Sequence, residues 1–304
     1  MTVWRIKLNS KRSEEDGGAP DWDEAKACCR AAGLVGVGWG LSKLRPGARL
    51  ETVLSAWREI PDGKGGVDNI ARLASKVTEG DLMWTRDRLG QYWLGQITGP
   101  WRYDKSPESV RLDLYNVRPC RWLEKPFRDY DVPGAVVTSF TGATQALRRI
   151  GDHPTAIRVS EMLWAAESDP TAVIPPVAPE QAIVDLFEPE DVEDLVLLWL
   201  QQQGWLLIPS SRKHDTPMYE AALRHPTGEL AVVSVKSGHS NPVPIPALAE
   251  ASGAARASAY STHGKYTAPP ADYDVIAIEH DELIAFMSEH SELLPPRVAR
   301  WLTP

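Results

Sequence analysis

Apolar positions recur at helical spacing over residues 21–32, where acidic residues lead into helix formers and Gly33 supplies a stop, and again over 48–60 and 67–77. Between the first two lies Leu34-Val-Gly-Val-Gly-Trp-Gly40, a buried strand whose glycines permit close backbone contact. From residue 81 onward the rhythm shortens. Residues 81–86, 91–97, 110–115 and 117–123 are aromatic and β-branched runs divided by turn residues, which predicts strands of a small, strongly curved, mostly antiparallel sheet or barrel. Residues 144–150 read as a short closing helix.

The second half has a different order. Apolar residues 192, 195, 196, 198, 199 and 200, followed by Gly204, predict an amphipathic helix over 190–204. A strand over 205–209 and a polar loop over 210–217 follow, then strands over 218–224 and 230–237 joined by a turn at 225–229. A strand period of two places Val232, Ser234 and Lys236 on one face. Residues 274–279 and 281–290 add a buried strand and a helix.

Between the halves, Pro170, Pro175, Pro176 and Pro179 fall within thirteen residues, which excludes helix or central strand and predicts a semi-rigid extended linker. The expected division is therefore a module over 1–166, a linker over 167–180 and a second module over 181–304. No internal repeat is visible.

Composition sharpens the contrast. With 304 residues, 43% hydrophobic and 24% charged, the chain can bury a sizeable core. It has no apolar run of the roughly 18 to 20 residues that a membrane span needs, and Met1–Arg12 lacks a signal-peptide core, so a cytoplasmic protein without a membrane partner is expected. Cys28, Cys29 and Cys120 fit neither a disulfide framework nor a zinc spacing and read as packing residues. The net charge of −8 conceals an asymmetry: residues 1–166 hold 25 Lys+Arg against 21 Asp+Glu, and residues 167–304 hold 8 against 20. Nine of the twelve Trp also lie in the first module, so a basic, Trp-rich module precedes an acidic one.

The succession Val37-Gly-Trp39, Gly80-Asp-Leu-Met-Trp84, Tyr92-Trp-Leu-Gly-Gln-Ile97, Trp101-Arg-Tyr103, Asn116-Val-Arg-Pro-Cys-Arg-Trp122 and Val132-Pro-Gly134 resembles the EVE-like modules of the PUA superfamily, which accompany modification-dependent restriction enzymes. The resemblance covers roughly residues 1–150. It implies a small barrel that takes a flipped, modified base into an aromatic pocket, for which Trp39, Trp84, Trp101 and Tyr92 are the candidates. Stacking a base on an aromatic face contributes roughly 1–3 kcal/mol and offsets the cost of extracting it. Trp in a small barrel is equally the ordinary core residue, and both roles stand open for each position. Arg86, Arg88, Arg102, Arg118 and Arg121, interleaved with these aromatics, are candidates for the DNA backbone, with a solvated surface charge as the alternative.

The helix, strand and hairpin of the second module resemble the PD-(D/E)xK nuclease core, most closely the Mrr-like restriction endonucleases. By position, the resemblance implies Glu193 as the helix carboxylate, Glu220 as the metal-binding acid and Lys236 as the catalytic lysine; Ser234 departs from the Glu, Asp or Gln of the pattern. Phosphodiester hydrolysis asks for a hard divalent cation held by oxygen, here Mg²⁺ or Mn²⁺ on Glu220 and the Val235 carbonyl, with Lys236 orienting water or stabilising developing charge. Asp215 is a further candidate acid, with loop capping as its other role, and Glu220 with Lys236 also fits an ordinary cross-strand salt bridge. No phosphate-binding glycine loop is present.

The expected fold class is thus α+β / α/β in two domains, a PUA/EVE-like barrel with helices followed by a restriction-endonuclease-like mixed sheet flanked by helices. The expected function is modification-dependent cleavage of double-stranded DNA in a defence system of the type IV restriction kind, by a homodimer. A non-catalytic reader with a degenerate nuclease domain is the alternative, and an RNA-directed protein is a third class.

Overall fold

A computed structural model describes residues 1–8, 22–60, 64–141, 145–151, 154–169, 171, 183–184, 186–212, 219–236, 242–252, 254, 256–262, 264, 266–268, 274–295 and 298–299. The fold is mixed α/β, and the chain divides into two compact units, Met1–Pro175 and Pro176–Pro304. The division falls within the proline-rich stretch, most of which lies outside the described residues.

The first unit is built on strands β1 (Val3–Ile6), β2 (Leu34–Val37), β3 (Leu82–Arg86), β4 (Tyr92–Ile97), β5 (Arg102–Tyr103), β6 (Asn116–Trp122) and β7 (Leu147–Arg149). Their order is β2-β6-β4-β3-β1-β7, with β5 beside β6, and every pairing except the parallel β1–β3 is antiparallel. Residues 116–119 of β6 pair with β2, and residues 120–122 pair with β4, so the sheet curls along this strand. Both faces are covered. Trp4, Ile6 and Met83 point into a core with α1 (Trp22–Ala31), α2 (Leu50–Arg58) and α3 (Lys64–Ser75). Val3, Leu82 and Trp84, the alternate positions, join a second core with α5 (Gly134–Thr138) and α6 (Pro154–Ser168).

Two expected elements are different in the structure. Residues 110–115 are not a strand: α4 (Pro107–Arg111) occupies their start, because Ser106 caps it by accepting the Ser109 N–H and Pro107 presets its first turn. Residues 144–150 are not a helix. Their described part forms edge strand β7, whose Leu147 N–H donates to Asn69 Oδ1 at 3.1 Å and whose Leu147 carbonyl accepts Arg72 Nη1–H at 2.9 Å, so side chains of α3 satisfy the open edge. Cys29 and Cys120 are buried packing residues, and burial pushes the Cys29 thiol up to about 12.

The second unit contains α7 (Pro189–Gln202), β8 (Leu206–Leu207), β9 (Ala221–Arg224), β10 (Leu230–Lys236), α8 (Ile245–Ser252), β11 (Arg256–Ser261), β12 (Asp274–Ala277) and α9 (His280–Glu289). The sheet order is β12-β11-β10-β9-β8, parallel through β10–β12 and antiparallel at β9 and β8. Val232, Ala257 and Ala259 pack with Ile245 and Leu248 of α8. No described helix is long and apolar enough to cross a membrane.

Candidate functional site

Helix α7 begins where Pro189 follows Glu188, with Glu188 and Asp191 forming a capping box, and this start sets Glu193 in the second turn. Glu193 is half-buried beside Arg212, whose guanidinium lies 3.7 Å from Glu193 and 2.8 Å from Asp194. Burial raises the Glu193 carboxyl above its ordinary range, the Glu220 charge raises it further, and Arg212 opposes both.

Glu220 stands immediately before β9, and its N–H donates to the Val233 carbonyl at 2.9 Å. The Glu220 carboxylate accepts the Val235 N–H at 2.9 Å on one oxygen and faces Lys236 Nζ at 3.3 Å on the other. Lys236 ends β10 and is 36% exposed where Glu220 is 16% exposed, so the pair sits at the surface end of the strand. Because N–H and C=O of one strand residue leave on the same edge, the Val235 carbonyl shares the Glu220 side. Glu220, Val235 and Lys236 are therefore gathered around one strand end, and Glu193, on a helix packed against β10, is close enough to be influenced by the Glu220 charge. Asp215 lies outside the described residues. Arg212 and Asp194 are neighbours of Glu193 that sequence reasoning passed over; the signal was one arginine in an otherwise polar loop.

Ser234 is fully buried, and its hydroxyl has no hydrogen-bond partner among the described residues. It shares the strand parity of Val232, which packs with α8. Where the nuclease pattern has a ligand, this chain has an enclosed hydroxyl. Among the described residues no three His, Cys, Asp or Glu side chains cluster as a metal site. The Glu220 carboxylate and the Val235 carbonyl lie on the same side of the strand and are oxygen donors, the class that Mg²⁺ or Mn²⁺ takes, and the repulsion that Glu193 feels from Glu220 is what a cation would relieve.

In the first unit the four aromatic candidates separate into two pairs. Trp84 and Tyr92 are fully buried in the core beneath α5 and α6. The Trp84 indole N–H donates to Ser160 Oγ at 3.1 Å, its ring meets Phe127 edge-on at 5.4 Å, and Tyr92 meets Phe140 in the same way at 5.6 Å. Both are core side chains with no face open to a base, which corrects their assignment to a pocket. Trp39 and Trp101 are half-buried against the other core. Trp39 adopts φ 62°, rare for a bulky residue, and its carbonyl accepts the Trp57 indole N–H at 2.8 Å. The Trp101 indole N–H is buried and has no acceptor among the described residues.

The arginines do not behave alike. Arg88 and Arg102 are exposed, and Arg102 pairs with Asp104 at 3.4 Å. Arg121 is exposed over the Trp164 ring at 4.7 Å, and Arg86 lies 5.4 Å from the Tyr92 ring. Arg118 is only 7% exposed, with Nε and Nη1 lacking hydrogen-bond partners among the described residues, so it is not a surface charge. Burial lowers its pKa while Asp81 and Glu79 hold it up. Comparison of the chain with protein-family models, with curated proteins and with solved structures gives no match.

Proposed function

We propose that the chain is a metal-dependent endonuclease acting on double-stranded DNA that carries a modified base, with an EVE-like reader in the first unit and a PD-(D/E)xK-type centre in the second. The observation that carries this reading is the Glu220 carboxylate held by Lys236 and the Val235 N–H at the end of β10, with the half-buried Glu193 near enough for the Glu220 charge to raise its pKa. A salt bridge of Glu220 with Lys236 alone explains neither the half-buried Glu193 nor the Val235 N–H held by the same carboxylate.

In this reading Glu193, Glu220 and the Val235 carbonyl hold a divalent ion, which when bound polarises the phosphoryl oxygen and favours ionised water. Lys236 brings a positive charge to the developing negative charge, or fixes the attacking water by donating to it. The Val235 N–H orients Glu220 by occupying one oxygen, and Arg212 holds Glu193 against the repulsion of Glu220. In the first unit Trp39 and Trp101 stack the extruded base, and Arg86, Arg88, Arg102 and Arg121 meet phosphates. The acidic second half makes the reader the main source of DNA affinity, and two copies of the chain cut the two strands.

A second reading, a non-catalytic reader whose nuclease fold is degenerate, is favoured by one observation: the enclosed Ser234 where the pattern has a ligand. The deciding experiment is cleavage of plain and base-modified DNA with Mg²⁺ or Mn²⁺ and with chelator, using the intact protein and Lys236→Ala. Metal-dependent cutting confined to modified DNA and lost in the variant supports the nuclease. Selective binding of modified DNA without cutting supports the degenerate reader and overturns the nuclease.

A further inference from the structure

At the other end of β10 from Lys236, a cavity of about 320 Å³ opens inside the second unit. The last turn of α7 brings Trp199 and the capping residue brings Gln203 to it, Trp205 follows directly after Gly204, the β9–β10 turn brings His225 and Glu229, and the first residue of β11 brings Arg256. Gly204 makes this possible: its φ of 90° turns the chain sharply from the helix into Trp205. Six strand steps separate Leu230 from Lys236, so the cavity lies about 20 Å from the proposed nuclease centre. It is a different site.

Its walls are aromatic. Trp205, nearly buried, forms the floor, with the His225 ring 5.2 Å away at a 54° tilt and the Arg256 guanidinium 5.6 Å from the indole centre. His225 is fixed by two interactions: its Nδ1 lies 2.9 Å from Thr227 Oγ1, and its backbone N–H donates to the Glu229 carbonyl at 2.9 Å. Polar side chains border this apolar frame, with Gln203 and Glu229 exposed at its rim. Glu229 has no ion-pair partner among the described residues, the Gln203 amide and the Trp199 indole N–H have no protein hydrogen bond there, and Arg256 Nε is buried and unpartnered although its Nη2 pairs with Asp274. Aromatic faces bordered by a few polar side chains are the chemistry of a small-ligand pocket.

We propose that this cavity binds a guanine-type nucleobase carried by a free nucleoside. A flat heterocycle is what Trp and His faces accept, and a carboxylate accepts two adjacent N–H groups, which guanine presents on its pairing edge. The Glu229 carboxylate is the acceptor pair, the Gln203 amide is a donor for a ring carbonyl or ring nitrogen, and the Trp199 indole covers the base. A volume of about 320 Å³ admits one nucleoside and no dinucleotide. The excess of 20 Asp+Glu over 8 Lys+Arg across residues 167–304 favours recognition through the base over recognition through a phosphate chain.

Trp199 and Trp205 supply the readout. The full-length protein is titrated with guanosine, adenosine, cytidine and uridine, following tryptophan fluorescence and calorimetric heat, and Glu229→Gln, Trp199→Ala and Lys236→Ala are titrated alongside. Guanosine is expected to quench saturably and to bind at least about tenfold more tightly than the other three, Glu229→Gln to lose that preference, and Trp199→Ala to lose affinity. Glu229 is exposed, so its variant keeps the fold, which circular dichroism checks. Lys236→Ala is expected to bind guanosine as the wild type does, which separates this site from the nuclease centre. Equal binding of all four nucleosides, no binding of any, or an unchanged preference in Glu229→Gln overturns the proposal.

Discussion

Lys236 Nζ lies 3.3 Å from Glu220 Oε1, while the second oxygen of the same carboxylate takes the Val235 N–H at 2.9 Å. Glu220 thereby has two jobs, one ionic and one structural, and two substitutions separate them. Glu220→Gln keeps an acceptor for the Val235 N–H and loses only the charge; its stability should fall by no more than the ~0–1 kcal/mol of a partly exposed ion pair. Glu220→Ala orphans the N–H as well and should cost about 1–3 kcal/mol. Denaturant melts measure the difference, and both variants should lose cleavage while binding DNA. Cleavage retained by Glu220→Gln would remove the carboxylate from the mechanism.

The raised pKa of Glu193 makes a pH prediction whose sign is fixed. The folded protein holds this proton more tightly than the unfolded chain, so stability is highest with respect to Glu193 below the ordinary carboxylate range and is lost as pH rises through the raised value. Glu193→Gln removes that loss. Its melting temperature should exceed the wild type at pH 7, and the gap should close below about pH 4, where both side chains are neutral. The Arg212 contact at 3.7 Å is given up, but Arg212 keeps Asp194 at 2.8 Å. A variant less stable than wild type at pH 7 would mean that the attraction of Arg212 outweighs burial and Glu220 together.

Ser234 offers a test of the departure from the nuclease pattern. Its buried hydroxyl has no partner among the described residues, so Ser234→Ala removes an unsatisfied polar group at little packing loss and should leave stability unchanged or raise it by up to about 1 kcal/mol. Ser234→Glu places a carboxylate in the same enclosed position and should be destabilising by several kcal/mol unless a divalent ion compensates. Thermal melts with and without Mg²⁺ discriminate. A metal-dependent rescue confined to Ser234→Glu would place position 234 in the ligand shell, and a large loss in Ser234→Ala would show that the hydroxyl has a partner.

What was legible in the sequence was what local patterning controls. The helix over Pro189–Gln202 announced itself by its apolar spacing and Gly204, and strand β10 by the apolar run Leu230–Val233, so the elements carrying Glu193 and Lys236 could be placed in advance. β7 could not: Leu147–Arg149 is a strand because Ile6 pairs with Leu147 and α3 satisfies its edge, contacts separated by more than seventy residues from any local signal. α4 was missed through turn chemistry, since the Ser106–Pro107 start outweighs the β-branched look of the residues behind it. Strand β11 went unread because Arg256–Ser261 is alanine- and serine-rich, and its place between β10 and β12 is set by packing under α8. At the site, the pairing of Arg212 with Glu193 and Asp194 and the partnerless hydroxyl of Ser234 among the described residues are tertiary facts that local patterning does not set.

The division of the aromatic candidates gives the last prediction, and it turns on which face of the first unit's sheet each ring occupies. Trp84 fills the core under α6 and bonds Ser160, so Trp84→Ala leaves a large cavity and should cost about 3–5 kcal/mol, which would masquerade as loss of base recognition. Trp84→Phe is the informative change: it keeps most of the packing and removes the indole N–H, and Ser160 still donates to the Ala156 carbonyl at 2.8 Å. In folded protein it should leave the ratio of affinities for modified and plain DNA where it was. Trp39 and Trp101, half-buried on the opposite core, should behave in the reverse way, with Ala substitutions that cost less stability and reduce that ratio by roughly the tenfold or more that one stacked base contributes. Fluorescence anisotropy on matched duplexes, at one fixed salt concentration because phosphate contacts make every affinity salt-dependent, measures both. If Trp84→Phe lowers discrimination while Trp39→Ala and Trp101→Ala leave it intact, the base is read from the α6 side of the sheet, and that side must open to admit it.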